Sequence, residues 1–138
     1  MNALITYLNF DGNARDAMTF YQKCLGAELH IQTSGDVKAP GPPGSENRVI
    51  HARLTKGGKA VLMASDTMPG STLVQGNNFL VNIDCESIPE IERLFAAFSA
   101  GGKVMMPLQD TFWGARFGML TDKFGVQWMF NYDLAKKG

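Results

Sequence analysis

Polar and apolar side chains alternate over residues 4–10, with Leu4, Thr6, Leu8 and Phe10 on one parity and Ile5, Tyr7 and Asn9 on the other. With Asp11-Gly12 behind it, this pattern predicts a strand covered on both faces. Ala14, Ala17, Met18, Tyr21, Cys24 and Leu25 then recur at helical spacing. Asn13 is placed to cap that helix, Asp16 to reach back to it, and Gly26 to stop it. A second strand is predicted over 27–33. The segment 34–47, SGDVKAPGPPGSEN, is too rich in glycine and proline for a regular element and predicts a mobile loop or lid. Strands resume at about 48–55 and 60–65, joined by the turn Lys56-Gly57-Gly58-Lys59. After a connector at 67–77 the order recurs. A strand at 79–84 leads to a helix opened by the capping box Ser87-Ile88-Pro89-Glu90, with Ile88, Ile91, Leu94, Phe95 and Phe98 as its apolar stripe. Gly101-Gly102 ends it, and three strands follow at 103–109, about 115–121, and 126–132.

The order βαβββ therefore occurs twice, and the wording of the two halves also matches. LTKGGKAVLMA at 54–64 parallels LTDKFGVQWMF at 120–130, placing Met63 opposite Met129 in the repeat. LNFDG at 8–12 parallels VNIDC at 81–85, which pairs Asn9 with Asn82 and Asp11 with Asp84. A fixed-order repeat of this length predicts one domain over 1–138, built from two similar modules at about 1–66 and 78–134. The fold class is α+β. Side by side, two such modules form a cupped mixed sheet, and the repeated positions would point into its pocket.

Composition removes several functional classes. Thirteen basic residues balance thirteen acidic ones in 138, so there is no electrostatic footprint for nucleic acid or an anionic membrane. No apolar run approaches the roughly 18 residues of a membrane span. MNALITYLNF reads as strand and not as a signal peptide. Cys24 and Cys85 are isolated, which fits a reduced cytoplasmic protein better than a disulfide framework.

Three segments carry a resemblance: NARDAMTFYQKCLGAEL at 13–29, SDTMPG at 65–70 and TFWGARFGMLTDKFGVQWMFN at 111–131. Through them the chain resembles the vicinal-oxygen-chelate superfamily of glyoxalase I, bleomycin-resistance proteins and extradiol dioxygenases. Within it the chain is most similar to the PhnB-like branch. The resemblance implies paired βαβββ modules, a cupped eight-stranded sheet and a homodimer. Members of that branch often carry a 3-demethylubiquinone-9 3-methyltransferase label. No glycine-rich strand-to-helix turn of the nucleotide-cradling kind occurs here to support it.

The resemblance also implies four metal-ligand positions, on the first and last strand of each module, and these fall on Asn9, Met63, Asn82 and Met129. Two amides and two thioethers are poor donors for a divalent ion, which takes imidazole, carboxylate or thiolate. No metal and no cofactor are therefore expected. His51 lies with Val49 and Arg53 on one strand parity and is either a pocket base or donor, or a histidine satisfied by a neighbouring strand. His30, beside Glu28, reads as a surface residue. Thr111-Phe112-Trp113-Gly114 could stack a planar ligand, but packing is favoured, in one cluster of Phe112, Trp113, Phe117, Phe124 and Trp128. Arg53 and Arg116 are the candidates for an anionic ligand. Asp66 and Asp122 read as turn residues, and Ser34, Ser65 and Ser71 lack the company of a nucleophile.

The expected function is metal-free binding of a small molecule in an apolar cup lined by Asn9, His51, Met63, Asn82, Trp113 and Met129. Two alternatives are an enzyme of the lyase, isomerase or dioxygenase type and a subunit-interaction module without a ligand. The expected partners are an unidentified small molecule and a second copy of the chain, with neither nucleic acid nor membrane.

Overall fold

The computed structural model describes residues 1–136. The first unit, Met1–Gln75, contains β1 (Tyr7–Phe10), α1 (Ala14–Leu25), β2 (Glu28–Thr33), β3 (Val49–Lys56) and β4 (Lys59–Asp66). The second begins at Gly76. It contains β5 (Val81–Asp84), α2 (Ile88–Ser99), β6 (Lys103–Asp110), β7 (Ala115–Thr121), β8 (Gln127–Asp133) and a terminal 3-10 turn. The expected βαβββ order is present in both units.

Each unit is a four-stranded mixed sheet, ordered β1-β4-β3-β2 in the first and β5-β8-β7-β6 in the second. The first strand of each runs parallel to the last, and the other pairs are antiparallel. The helix crosses one sheet face, so alternate side chains go under it. Leu8, Phe10, Ala52, Leu54, Leu62 and Ala64 of the first sheet are buried together with Ala17, Met18 and Tyr21 of α1. In the second unit Leu120, Trp128 and Phe130 are buried with Ile91, Leu94 and Phe98 of α2. The rings of Phe98 and Trp128 lie 4.7 Å apart. Trp128 is core, as its parity with Met129 predicts.

Local chemistry explains the turns. Gly57 and Gly58 both adopt positive φ, 61° and 79°, the geometry of a two-residue hairpin whose twist matches its strands. Gly118 has a packing reason: a Cβ there would lie 2.7 Å from Phe95 Cε2. α2 has the expected Ser87 cap, with Glu90 N–H donating to Ser87 Oγ, but the Glu90 carboxylate reaches one residue beyond the cap and accepts from Glu86 N–H instead of Ser87 N–H. α1 departs from expectation. The Asn13 side chain makes no cap bond; the carboxylate of Asp66 takes the N–H groups of Gly12 and Ala14 instead. A buried anion delivered from the end of β4 suits the positive end of the helix better than a neutral amide at its entrance.

One further expectation is corrected. The first strand is covered on one face only, since Leu8 and Phe10 are buried while Tyr7 and Asn9 are exposed. Segment 34–47 has no regular element, but Ser34 N–H donates to Arg48 O and Gly35 N–H to Glu46 O. These bonds prolong the β2–β3 hairpin into the loop base. β6 carries Pro107 and two register shifts, features that suit an edge strand.

Candidate functional site

The sheet face turned away from the helix is where each unit can meet a ligand, because its side chains are held by the ladder yet are partly open. In the first unit Tyr7 pairs with Met63 and Met63 with Arg53, and His30 completes the row on β2. In the second, Asn82 pairs with Met129, Met129 with Met119, and Met119 with Met106.

This register revises the repeat. Met63 and Met129 are equivalent, as the matched segments imply, but the partner of Met63 is Tyr7, whereas the partner of Met129 is Asn82. Asn9 lies two residues further along β1, opposite Ser65, and so corresponds to Asp84, which lies opposite Asn131. The LNFDG/VNIDC match is thus shifted by two residues. A two-residue shift preserves which face a side chain takes, so Asn9 stays on the open face but leaves the row. Asn9 Oδ1 accepts from Ser65 Oγ at 3.4 Å. Both residues line a cleft of about 250 Å³ with Ser34, Arg48 and Thr67.

His51 is on the open face, but not with Val49. Gln32 pairs with His51 and Thr33 with Val49, so Ile50 is an extra residue in β3. A bulge of this kind reverses strand parity beyond it. Val49 accordingly is 1 % exposed, while His51 stays with Arg53 on the open side. The Tyr7 hydroxyl lies 3.1 Å from His51 Nδ1, and the two rings stack with centroids 5.8 Å apart at 29°. Sequence reasoning missed Tyr7. Its signal was present in the alternation that placed it with Asn9, but the repeat match drew attention two residues away.

The two arginines read as anion candidates part company. Arg116 is committed: its Nε donates to Asp110 Oδ1 at 2.8 Å and its Nη1 to Glu92 Oε1 at 2.8 Å. The bonds to Asp110, ahead of the negative charge of Glu92, push its guanidinium pKa further up. It therefore fastens the β6–β7 hairpin to α2 and is not available for a ligand. Arg53 is exposed and has no carboxylate at ion-pair distance among the described residues. His30 is a surface residue, as expected, with its Nε2 3.9 Å from Glu28 Oε2.

In the second unit Phe112 packs edge-on against Trp113, and Trp113 against Phe117. The Lys123 ammonium lies over the Phe124 ring, 5.5 Å from its centre. Phe112 is 98 % exposed and Trp113 57 %, so this pair packs far less than expected. Asp66 and Asp122 are more than turn residues. Each is buried and accepts three hydrogen bonds.

A second cleft, of about 330 Å³, is lined by Asp84, Cys85, Glu86, Tyr132 and Asp133. Both cysteines are buried and neither is in a disulfide. Burial first, then the charges of Glu90 and Asp84, pushes the Cys85 thiol up to about 12. The thiolate is the reactive form, so iodoacetamide at pH 8 is expected to label Cys85 slowly in the folded protein and rapidly in urea, as read by peptide mass. Equal rates would contradict the burial argument. Because the folded thiol holds its proton longer than the unfolded one, this group costs stability only as pH rises above its ordinary value of 9.0 towards 12.

Among the described residues no group of three or more His, Cys, Asp or Glu side chains is arranged to hold a metal ion. The donor chemistry of the strand rows agrees: phenol, amide and two thioethers do not suit a divalent cation. No helix among the described residues is long and apolar enough to cross a membrane.

Comparison with known proteins gives the same answer from sequence and from fold. Residues 5–130 match the model of the glyoxalase/bleomycin resistance protein/dioxygenase superfamily. Protein YjdN of Escherichia coli is 37 % identical over 139 aligned positions, covering 93 % of each chain. A Pseudomonas aeruginosa crystal structure superposes with a TM-score of 0.84 at 40 % identity, covering 96 % of this chain and 98 % of the other. A Bacillus cereus PhnB protein follows at 0.77 and 29 %, covering 95 % and 99 %. Two βαβββ units with matching sheet orders, a family match over nearly the whole length and these relatives lead to one conclusion: the chain belongs to the glyoxalase/bleomycin resistance protein/dioxygenase superfamily, with a PhnB protein among its structural neighbours.

Proposed function

We propose that this chain is a metal-free small-molecule binding protein that uses the open sheet faces of its two units. The observation that carries this reading is the side-chain chemistry of the strand rows, Tyr7–Met63 in the first unit and Asn82–Met129–Met119–Met106 in the second. Neutral phenol and amide groups orient a ligand by hydrogen bonds, and thioethers adapt to its shape. The bleomycin-resistance members in the superfamily name support sequestration of a drug-like compound as one use. Methyl transfer finds no support: β1 joins α1 through Asp11-Gly12-Asn13 and β5 joins α2 through Cys85-Glu86-Ser87, and neither is a glycine-rich phosphate cradle.

Two measurements test this reading together. Elemental analysis of untagged protein purified without chelator is expected to find well under one equivalent of transition metal. A thermal-shift screen of aromatic and drug-like compounds is expected to yield stabilising ligands, whose effect Met63→Ala or Met129→Ala reduces. Stoichiometric metal, or a screen empty of ligands, overturns it.

An enzymatic reading is favoured by one observation, the Tyr7–His51 hydrogen bond on an open face. A phenol and an imidazole so placed can move a proton to or from a bound substrate. Turnover of a bound ligand that Tyr7→Phe or His51→Gln abolishes would establish it.

We also propose a cytoplasmic homodimer. Two cysteines outside any disulfide support the reducing location. The exposed Phe112–Trp113 pair supports self-association, since a two-fold contact would bury the same apolar patch on each copy. Sedimentation is expected to give twice the 15.1 kDa chain mass, and Trp113→Glu to shift the protein towards monomer with its circular dichroism intact. A wild-type monomer at micromolar concentration rules the dimer out.

A further inference from the structure

The open face of the first unit carries chemistry that its counterpart in the second lacks. Tyr7, Met63 and Arg53 form one row over three adjacent strands. His51 is two residues from Arg53 on the same face, because the intervening Ala52 is fully buried on the helix side. The Tyr7 ring, 44 % exposed, reaches across β4 to bond His51 at 3.1 Å. Tyr7, His51 and Arg53 therefore share the open face with Met63. Arg48 is tied to Asp11 and to the Thr67 carbonyl, and Arg116 to Asp110 and Glu92. Arg53 has no such anchor among the described residues. Glu28, on the same face by alternation, lies against His30.

The corresponding face of the second unit has no cation in its two central rows. One reads Asn82, Met129, Met119, Met106, and the other Asp84, Asn131, Phe117, Gln109. Its one charged group there, Asp84, is an anion that accepts from Asn131. Charge and proton donors are thus concentrated on the first face.

We propose that the open face of the first unit binds the anionic end of a planar organic acid, a carboxylate or phenolate borne on an aromatic ring. The inference rests on the small-molecule binding reading and names the ligand class. Arg53 supplies the counter-charge through its planar fork. With a proton on Nδ1, His51 donates to the Tyr7 oxygen and leaves the phenol O–H free to donate to the ligand. Met63, between Tyr7 and Arg53 in the row, contacts the ring face, a contact sulfur makes favourably.

The test compares 2-naphthoate with 2-naphthamide, which share a shape and differ in charge, by calorimetric titration of the full chain. Naphthoate is expected to bind at least about tenfold more tightly, the scale of a charged hydrogen bond. Arg53→Met, which keeps the stem at an exposed position, is expected to remove that preference by weakening naphthoate far more than naphthamide, and Arg53→Lys to restore part of it. Tyr7→Phe is expected to weaken naphthoate more than naphthamide. Equal affinity for the two probes overturns the anion site while leaving the binding reading intact. Binding of neither overturns the anion site also, and the thermal-shift screen of aromatic and drug-like compounds then decides the broader reading on its own. A preference that survives Arg53→Met refutes the assignment of Arg53.

Discussion

Replacing Asp66 by alanine is expected to destabilise the first unit by about 3–5 kcal/mol, since removing an acceptor from buried donors costs roughly 1–3 kcal/mol per orphaned group. Its Oδ1 accepts the N–H groups of Gly12 at 2.9 Å and Ala14 at 3.0 Å, and its Oδ2 that of Val49 at 2.9 Å. One carboxylate at the end of β4 therefore fixes the turn after β1, the start of α1 and the start of β3. Asp66→Asn keeps one oxygen for two of these donors but turns an N–H₂ group towards the third, so about half the loss is expected. Urea denaturation of the two variants and the wild type measures the ordering, and thermal melting should show the alanine variant about 10 °C or more lower. A loss below about 1 kcal/mol for Asp66→Ala would mean that water replaces the carboxylate at this junction, against its 9 % exposure.

Asp122→Ala is expected to cost about 3 kcal/mol, again because three donors lose one acceptor. Here the bonds are to Phe124 N–H at 2.8 Å, Val126 N–H at 3.0 Å and Trp128 Nε1–H at 2.8 Å. Two of them shape the turn between β7 and β8, and the third anchors the largest core side chain. In a Trp113→Phe background, where Trp128 is the one remaining indole, Asp122→Ala should shift the emission to the red as the indole N–H seeks water. Asp122→Asn should preserve the turn bonds and lose the indole bond, separating the two contributions. An unchanged spectrum and an unchanged urea midpoint for Asp122→Ala would refute the anchoring role.

These two aspartates mark how far the sequence could be read. Asp122 sits in D-K-F-G, and its bonds to residues two and four positions on are the chemistry that composition announces. Asp66 looked like the same kind of residue, yet its partners are 17, 52 and 54 positions away. Asn13 was the plausible local cap for α1, and it is passed over because the distant carboxylate is both buried and charged. The Ser87 cap needed no such help and appears where its letters predict, though Glu90 reaches Glu86 and not Ser87 itself.

For the candidate site the same division holds. Met63, Met129 and Asn82 were legible as candidates through the repeat and the family resemblance, whereas two readings of His51 stayed open, since alternation along a strand fixes parity but not which face is covered. Tyr7 as the partner of Met63, and the separation of His51 from Val49, were not legible. Both depend on how one strand slides against its neighbour, and a bulge at Ile50 leaves no distinct mark in the letters. Arg53 and Arg116 looked alike in sequence and differ only because Asp110 and Glu92 are folded against one of them.

The sequence by itself determined the α+β class, the doubled βαβββ order and the absence of a strongly charged footprint, because periodicity, turn residues and net charge act over a few residues or sum over all of them. Only the tertiary structure decided which side chains share a row, which aspartate closes a helix, and which arginine is held in ion pairs. Those outcomes turn on hydrogen bonds between residues far apart in the chain, whose free energy depends on register and burial that no local pattern encodes.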